Sequence, residues 1–138
     1  MAGELLLDTG ALVSLLDRSQ KHHEVFAELF GEWDRPVVST EAVLTEATHL
    51  LGGIPGGRRS CVEFFLSGGA VLVPATTASL RRASALVSQH ADLPMDYADA
   101  TLVVLAEELD TNRVFTTDRR DFAVYRINGR LQFEILPG

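Results

Sequence analysis

Glu4-Leu5-Leu6-Leu7-Asp8-Thr9-Gly10-Ala11-Leu12 is the stretch from which the fold is read. Three consecutive leucines describe a strand apolar on both faces, as a central strand of a parallel sheet must be. A carboxylate, Asp8, ends the run. An apolar pattern at helical spacing follows at once through Leu12, Leu15 and Leu16. Asp8 is therefore expected at the carboxyl end of the first strand, where open α/β sheets bind their ligands.

Outward from that strand the periodicity alternates. A helix is expected over residues 11–17 and a second over 22–33, with Val25, Phe26, Leu29, Phe30 and Trp33 on its inner face. Pro36-Val37-Val38-Ser39 is a short buried strand. Ser39 or Thr40 caps the next helix, which carries Ala42, Val43, Glu46, Ala47 and Leu50 at helical spacing. Gly52-Gly53-Ile54-Pro55-Gly56-Gly57 breaks the chain, and a helix over 58–66 stops at Gly68-Gly69. Ala70-Val71-Leu72-Val73-Pro74 is a third strand. A helix from Thr76 or Thr77 to 89 follows, with Leu80, Ala83 and Val87 inward. Another runs from Pro94-Met95-Asp96 to 109, with Ala100, Val103, Val104 and Ala106 inward. Arg113-Val114-Phe115-Thr116-Thr117 is a fourth strand ending at Asp118, residues 119–125 form a short helical turn, and residues 132–136 make a fifth strand. Strands alternating with helices imply a mostly parallel sheet in a three-layer α/β/α arrangement with right-handed crossovers.

The chain has 138 residues, the size of a single domain over 1–138. Hydrophobic residues make up 46% of it, enough for a packed core. One cysteine, Cys61, excludes an intramolecular disulfide framework and a cysteine metal cluster, and reads as a core thiol beside Val62, Phe64 and Phe65. Neither a leader pattern nor an apolar run of membrane-spanning length is visible, so a cytoplasmic protein is expected. A net charge of -7 argues at first against a nucleic-acid partner. Setting aside Asp8, Glu46, Asp99 and Asp118 as metal ligands leaves 15 acids against 12 bases. Of the bases only Lys21 is a lysine. Arginine suits bidentate phosphate contact, although a coding bias gives the same composition.

Asp8, Asp118 and the Asp96–Asp99 segment all fall at strand-to-helix junctions or helix starts, which share one edge of a parallel sheet. Carboxylates converging there repel. At roughly 6 Å and an effective dielectric near 20, each pair costs about 3 kcal/mol. Cations must compensate, and hard oxygen ligands without Cys or His select Mg²⁺ or Mn²⁺ over zinc. The simpler alternative is helix capping. Taken singly, Asp8, Asp96 and Asp118 each fit an N-cap better than a ligand, and Asp96-x-x-Asp99 and Asp118-x-x-Asp121 have capping-box spacing. Glu46 is different: it lies beside an apolar face where an unpaired acid is costly, and a salt bridge is its alternative.

Leu-Leu-Leu-Asp8-Thr-Gly-Ala-Leu, Ser-Thr-Glu-Ala-Val-Leu-Thr-Glu46, Asp96-Tyr-Ala-Asp99-Ala and Val-Phe-Thr-Thr-Asp118-Arg-Arg-Asp121-Phe follow one another in an order that resembles the PIN-domain ribonucleases. The resemblance is strongest to the VapC-type toxins of bacterial toxin–antitoxin pairs and covers nearly the whole chain. It implies a five-stranded parallel sheet of order 3-2-1-4-5 and cleavage of RNA dependent on Mg²⁺ or Mn²⁺. Carried over by position, Asp8, Glu46, Asp99 and Asp118 form the catalytic quartet. Asp8 and Asp99 are its firmest metal ligands, while Glu46 and Asp118 bind a second ion or orient water. Asp96 and Asp121 are supporting acids, and Thr9, Thr116 and Thr117 hydrogen-bond the carboxylates or a phosphate. The resemblance further implies a homodimer and a cognate antitoxin whose tail lies over the site. PIN domains also serve in RNA processing without an antitoxin; small single-domain length favours the toxin.

Two other readings differ in class. Leu-Leu-Asp8-Thr9-Gly10-Ala11 matches the catalytic triplet of retroviral-type aspartic proteases, in which a dimer supplies two aspartates sharing a proton. Those proteases are nearly all β, whereas this chain alternates strands with long helices. A non-catalytic PIN-like binding module is the second, and the filling of all four acidic positions speaks against it. Arg119-Arg120 beside Asp118 are placed where an RNA phosphate could pass, with surface solvation or an antitoxin contact as equal alternatives. Arg58-Arg59 and Arg81-Arg82 read as solvated helix faces, and His22, His23, His49 and His90 are dispersed.

Overall fold

The structure is a computed structural model that describes residues 3–90, 92 and 94–138. Its centre is β1 (Leu5–Leu7), whose three leucines are all 0% exposed. Burying each contributes about 2 kcal/mol. On one side β1 pairs in parallel with β2 (Val37–Thr40), Leu5 opposite Val37 and Leu6 opposite Val38. On the other it pairs with β4 (Arg113–Phe115), Leu6 opposite Val114 and Leu7 opposite Phe115. β3 (Val71–Val73) lies outside β2, and β7 (Glu134–Leu136) lies outside β4. The sheet is five-stranded and parallel, in the order β3-β2-β1-β4-β7, which is the expected 3-2-1-4-5 once the sheet strands are counted in chain order.

The helices are α1 (Thr9–Leu16), α2 (His23–Glu32), α3 (Glu41–Leu50), α4 (Gly57–Leu66), α5 (Thr77–Gln89), α6 (Tyr97–Leu109) and α7 (Arg119–Val124), with a 3-10 turn at Leu51–Gly53. None of them is long and apolar enough to cross a membrane. Thr40 caps α3 by accepting from the Val43 N–H at 3.4 Å, and Thr76 with Ser79 forms a reciprocal capping box on α5. α6 is the most deeply embedded helix, with Ala100, Leu102, Val103, Leu105 and Ala106 all buried.

β3 is an edge strand, and its Val71 is 57% exposed. Several expectations are corrected. Val25, expected on the inner face of α2, is 53% exposed. α5 packs through Ala83 and Leu86, which turns Leu80 and Val87 to solvent. Arg82 on that helix is no mere solvated face, because it makes a bidentate pair with Glu107 of α6 at 2.9 and 3.0 Å. The last strand begins at Glu134, not 132. Residues 131–132 belong to a hairpin of β5 (Arg126–Ile127) and β6 (Leu131–Gln132). Its turn rests on Asn128 (φ 54°) and Gly129 (φ 74°), the Asn-Gly signal for a turn with two positive φ values.

Candidate active site

The carboxyl ends of β1 and β4 and the N-termini of α1, α6 and α7 meet at one edge of the sheet, with α3 alongside. They enclose a pocket of about 340 Å³ lined by Asp8, Glu46, Asp96, Asp99, Asp118 and Asp121, together with Thr9, Gly10, Thr117 and the apolar Leu50, Pro94 and Met95. All six acids read from the sequence are thus brought to one place, and no lining residue is basic. Glu46 makes no ion pair among the described residues; the pairs present are Arg82–Glu107 and Arg113–Glu134.

Asp8 occupies the position before α1 but makes no side-chain cap bond. Capping therefore does not explain it. It is 5% exposed, and its Oδ2 accepts a hydrogen bond from the Thr116 hydroxyl at 2.6 Å. The same hydroxyl oxygen accepts from the Asp118 N–H at 2.9 Å. One threonine thus fixes the carboxylate of the first strand and the backbone of the last acidic segment. Burial pushes the Asp8 carboxyl up to about 6; the Thr116 bond opposes this, and the charges of Asp118 and Glu46 add to it. Next to it, the Thr9 hydroxyl is buried with no hydrogen-bond partner. Gly10 allows the Thr117 side chain to lie against the first turn of α1, since a Cβ there would collide with Thr117 Oγ1.

Asp99, in the first turn of α6, is 8% exposed. Its N–H donates to the Asp96 carboxylate at 2.8 Å, and its Oδ2 accepts from the Tyr125 hydroxyl at 2.7 Å. Burial first, then the charge on Asp8, raises its pKa to about 8; Asp96 and Asp118 add to the rise and the Tyr125 bond opposes it. Asp118 accepts from the Asp121 N–H at 3.1 Å. Asp121 is raised by burial, by its hydrogen bond to Asp118 and by the Asp118 charge, while Arg120 pulls it down. Asp96 and Asp118 are therefore helix caps as well as pocket acids. Capping occupies one oxygen and leaves the other, so the two roles are compatible.

Carboxylate oxygens of Asp99, Asp118 and Asp121 lie within 4.8 Å of one another. Such an all-oxygen set suits a hard divalent ion. The tightest group thus includes Asp121, which the sequence placed only in support, and omits Asp8 and Glu46. These two line the same pocket; the charge of Asp8 acts on Asp99, and that of Glu46 on Asp8. Arg119 and Arg120 lie outside the pocket lining. The Arg119 guanidinium donates to the Pro137 carbonyl at 2.6 Å and lines a separate cleft with His22 and Phe26. Tyr125 was not read from the sequence as part of the site. The signal available was a tyrosine one helical turn after Asp121, where burial would oblige its hydroxyl to find a partner. The aspartic protease reading fails on the fold: Asp8-Thr9-Gly10 leads from a parallel strand straight into α1.

Comparison with known proteins agrees with this geometry. The chain is 29% identical over 135 residues to Ribonuclease VapC26 of Mycobacterium tuberculosis, covering 96% of this chain and 100% of that protein. Among solved structures it resembles VapC20 of Mycobacterium tuberculosis, a toxin that cleaves the sarcin–ricin loop. That match has a TM-score of 0.75 at 18% identity, over 84% of this chain and 91% of that one. It also resembles VapBC2 of Rickettsia felis bound to promoter DNA, with a TM-score of 0.68 at 15% identity, over 96% and 98%. The family model of the PIN domain matches residues 5–128, and the chain belongs to that family.

Proposed function

We propose that this protein is a metal-dependent endoribonuclease and the toxin of a VapBC-type toxin–antitoxin pair. The observation that carries the reading is a pocket of six acids with no base among its lining residues. Two of those acids are buried deeply enough that ionising them is disfavoured: Asp8 is pushed up to about 6, and Asp99 to about 8, above neutral pH. Such a site is poorly matched to itself and well matched to a dication.

The residues fit Mg²⁺ or Mn²⁺: every donor is a carboxylate or hydroxyl oxygen. Asp8 and Asp99 would hold the principal ion with Asp118 and Asp121, while Glu46 stands where it can orient water. When bound, the ion supplies positive charge against the scissile phosphate and eases deprotonation of an attacking water. Asp96 and Asp118 hold the starts of α6 and α7 through their caps; Thr117 would offer its hydroxyl to a phosphate oxygen, and the buried Thr9 hydroxyl would serve the carboxylates. Arg119 and Arg120 are exposed at the flank, where a long RNA would pass.

The names of the relatives support an antitoxin as partner, since the chain resembles toxins solved together with theirs. A pocket so acidic would accept a basic side chain from such a partner. A homodimer and a cytoplasmic location complete the reading. The test is RNA cleavage by purified protein with Mg²⁺ or Mn²⁺. Asp8→Asn should lose cleavage at least 100-fold while keeping its fold by circular dichroism. An Asp8→Asn protein that cuts RNA at the parent's rate would refute the assignment. A binding module without catalysis would show no melting shift with Mn²⁺.

A further inference from the structure

Tyr125 is fully buried at the C-terminal end of α7. Its ring sits edge-on to Phe122, with centroids 5.2 Å apart at 78°, and edge-on to His90 at 5.5 Å and 90°. Phe133 closes the box against Phe122 at 5.3 Å. Phenylalanine would fill this box as well, so packing does not account for the hydroxyl. A buried hydroxyl without a partner is costly, and this one donates its hydrogen bond to Asp99 Oδ2 at 2.7 Å. Burial and the neighbouring acids drive the phenol's pKa above its ordinary value, so it remains a donor.

The bond joins two elements. Asp99 is on α6, whereas Tyr125 closes α7, its N–H donating to the Asp121 carbonyl at 3.1 Å. α7 carries Asp118 at its cap and Asp121 in its first turn. We propose that Tyr125 is a positioning residue for the metal site: its hydroxyl occupies one oxygen of Asp99 and ties α6 to α7, fixing the gap across which Asp99 faces Asp118 and Asp121. The inference rests on the nuclease reading and deepens it. Those three carboxylates approach within 4.8 Å of one another, and like charges so close repel, so a tie between α6 and α7 helps to set their spacing. Outer partners of this kind orient metal-binding side chains, and their loss typically weakens metal affinity about 10- to 100-fold.

The experiment compares wild type, Tyr125→Phe and Phe133→Leu by Mn²⁺ titration at pH 7.5 without RNA, read by electron paramagnetic resonance of the free ion and by melting temperature. Tyr125→Phe should weaken Mn²⁺ binding about 10-fold or more, and its RNA cleavage should fall at low Mn²⁺ and recover when the ion is saturating. Phe133→Leu loosens the same box without touching the hydroxyl; it should melt earlier yet bind Mn²⁺ within twofold of wild type. Tyr125→Phe binding within twofold of wild type would overturn the inference, as would equal weakening in Phe133→Leu. A wild-type protein that binds no Mn²⁺ would overturn the nuclease reading and this inference with it.

Discussion

Removing divalent metal and raising the pH from 5 to 7.5 should destabilise the protein. The carboxyls of Asp8 and Asp99 are raised in the folded state from 3.8 to about 6 and about 8. A raised carboxyl makes the folded state bind more protons than the unfolded chain at intermediate pH. Stability is therefore greatest below the unfolded value and falls as pH rises through the folded one. Over this window Asp99 loses 2.5 pH units of linkage, about 3 kcal/mol, and Asp8 loses about one unit, a further 1 to 2 kcal/mol. Asp121 shifts in the same direction. Asp17 and Glu107 shift downward, so their contributions are essentially complete above pH 5 and do not mask the trend. Together the loss approaches 5 kcal/mol, a large part of the total for a domain of ordinary stability. For a chain of this length it corresponds to a fall in melting temperature of about 15 °C. The assay is differential scanning calorimetry in EDTA across the pH series, repeated with Asp99→Asn and with excess Mg²⁺. Asp99→Asn should flatten the upper half of the curve, and Mg²⁺ should restore stability most at pH 7.5. A metal-free melting temperature constant to within 2 °C, or an Asp99→Asn protein with the full parental slope, would refute the reasoning.

Thr116→Val removes the donor to Asp8 and the acceptor for the Asp118 N–H, which should cost about 1–3 kcal/mol. It should also move the acid limb of the cleavage–pH profile upward, because the bond that favours the Asp8 carboxylate is gone. Leu6→Ala, at the fully buried centre of the sheet, should cost about 3–5 kcal/mol by urea unfolding, while the surviving folded fraction still binds Mn²⁺.

The sheet was legible because its strands announce themselves. Leu5-Leu6-Leu7 has no polar side to offer solvent, and the strands that flank it, at Val37 and Val114, are buried with it. The outer elements were less legible because their amphipathy is weak. Ala83 and Leu86 set the face of α5, but alanine carries little apolar signal, and Leu80 and Val87 drew the reading to the wrong side. The β5–β6 hairpin was missed although Asn128-Gly129 marks it, since strands of two residues each lie below the length at which alternation can be read. In the site, the order of the acidic blocks foretold the acids, and Thr116 was expected to bond a carboxylate, as it does with Asp8, 108 positions away. Tyr125 was not foretold, because nothing local in the sequence links it to Asp99, 26 positions away. The placement of Leu50 was misjudged for a related reason: counted as apolar periodicity, it is 57% exposed at the pocket rim.

The choice between cap and ligand dissolves once the helix starts are counted. Asp8 precedes α1, Asp96 and Asp99 begin α6, and Asp118 and Asp121 begin α7. Each helix N-terminus presents unpaired N–H groups and a partial positive charge to its carboxylates. Three such termini pointing at one pocket offset part of the repulsion that would otherwise drive the acids apart. The caps at Asp96 and Asp118 fix the starts of α6 and α7 at the pocket, each through one oxygen. Helix dipoles supply only fractions of a charge, however, and act within the first turn. Five aspartates and a glutamate exceed what three termini can neutralise, and Glu46, in the middle of α3, has no terminus at all. The remaining imbalance is the physical basis for a cation, and it is greatest at Asp8 and Asp99, the two acids buried most deeply.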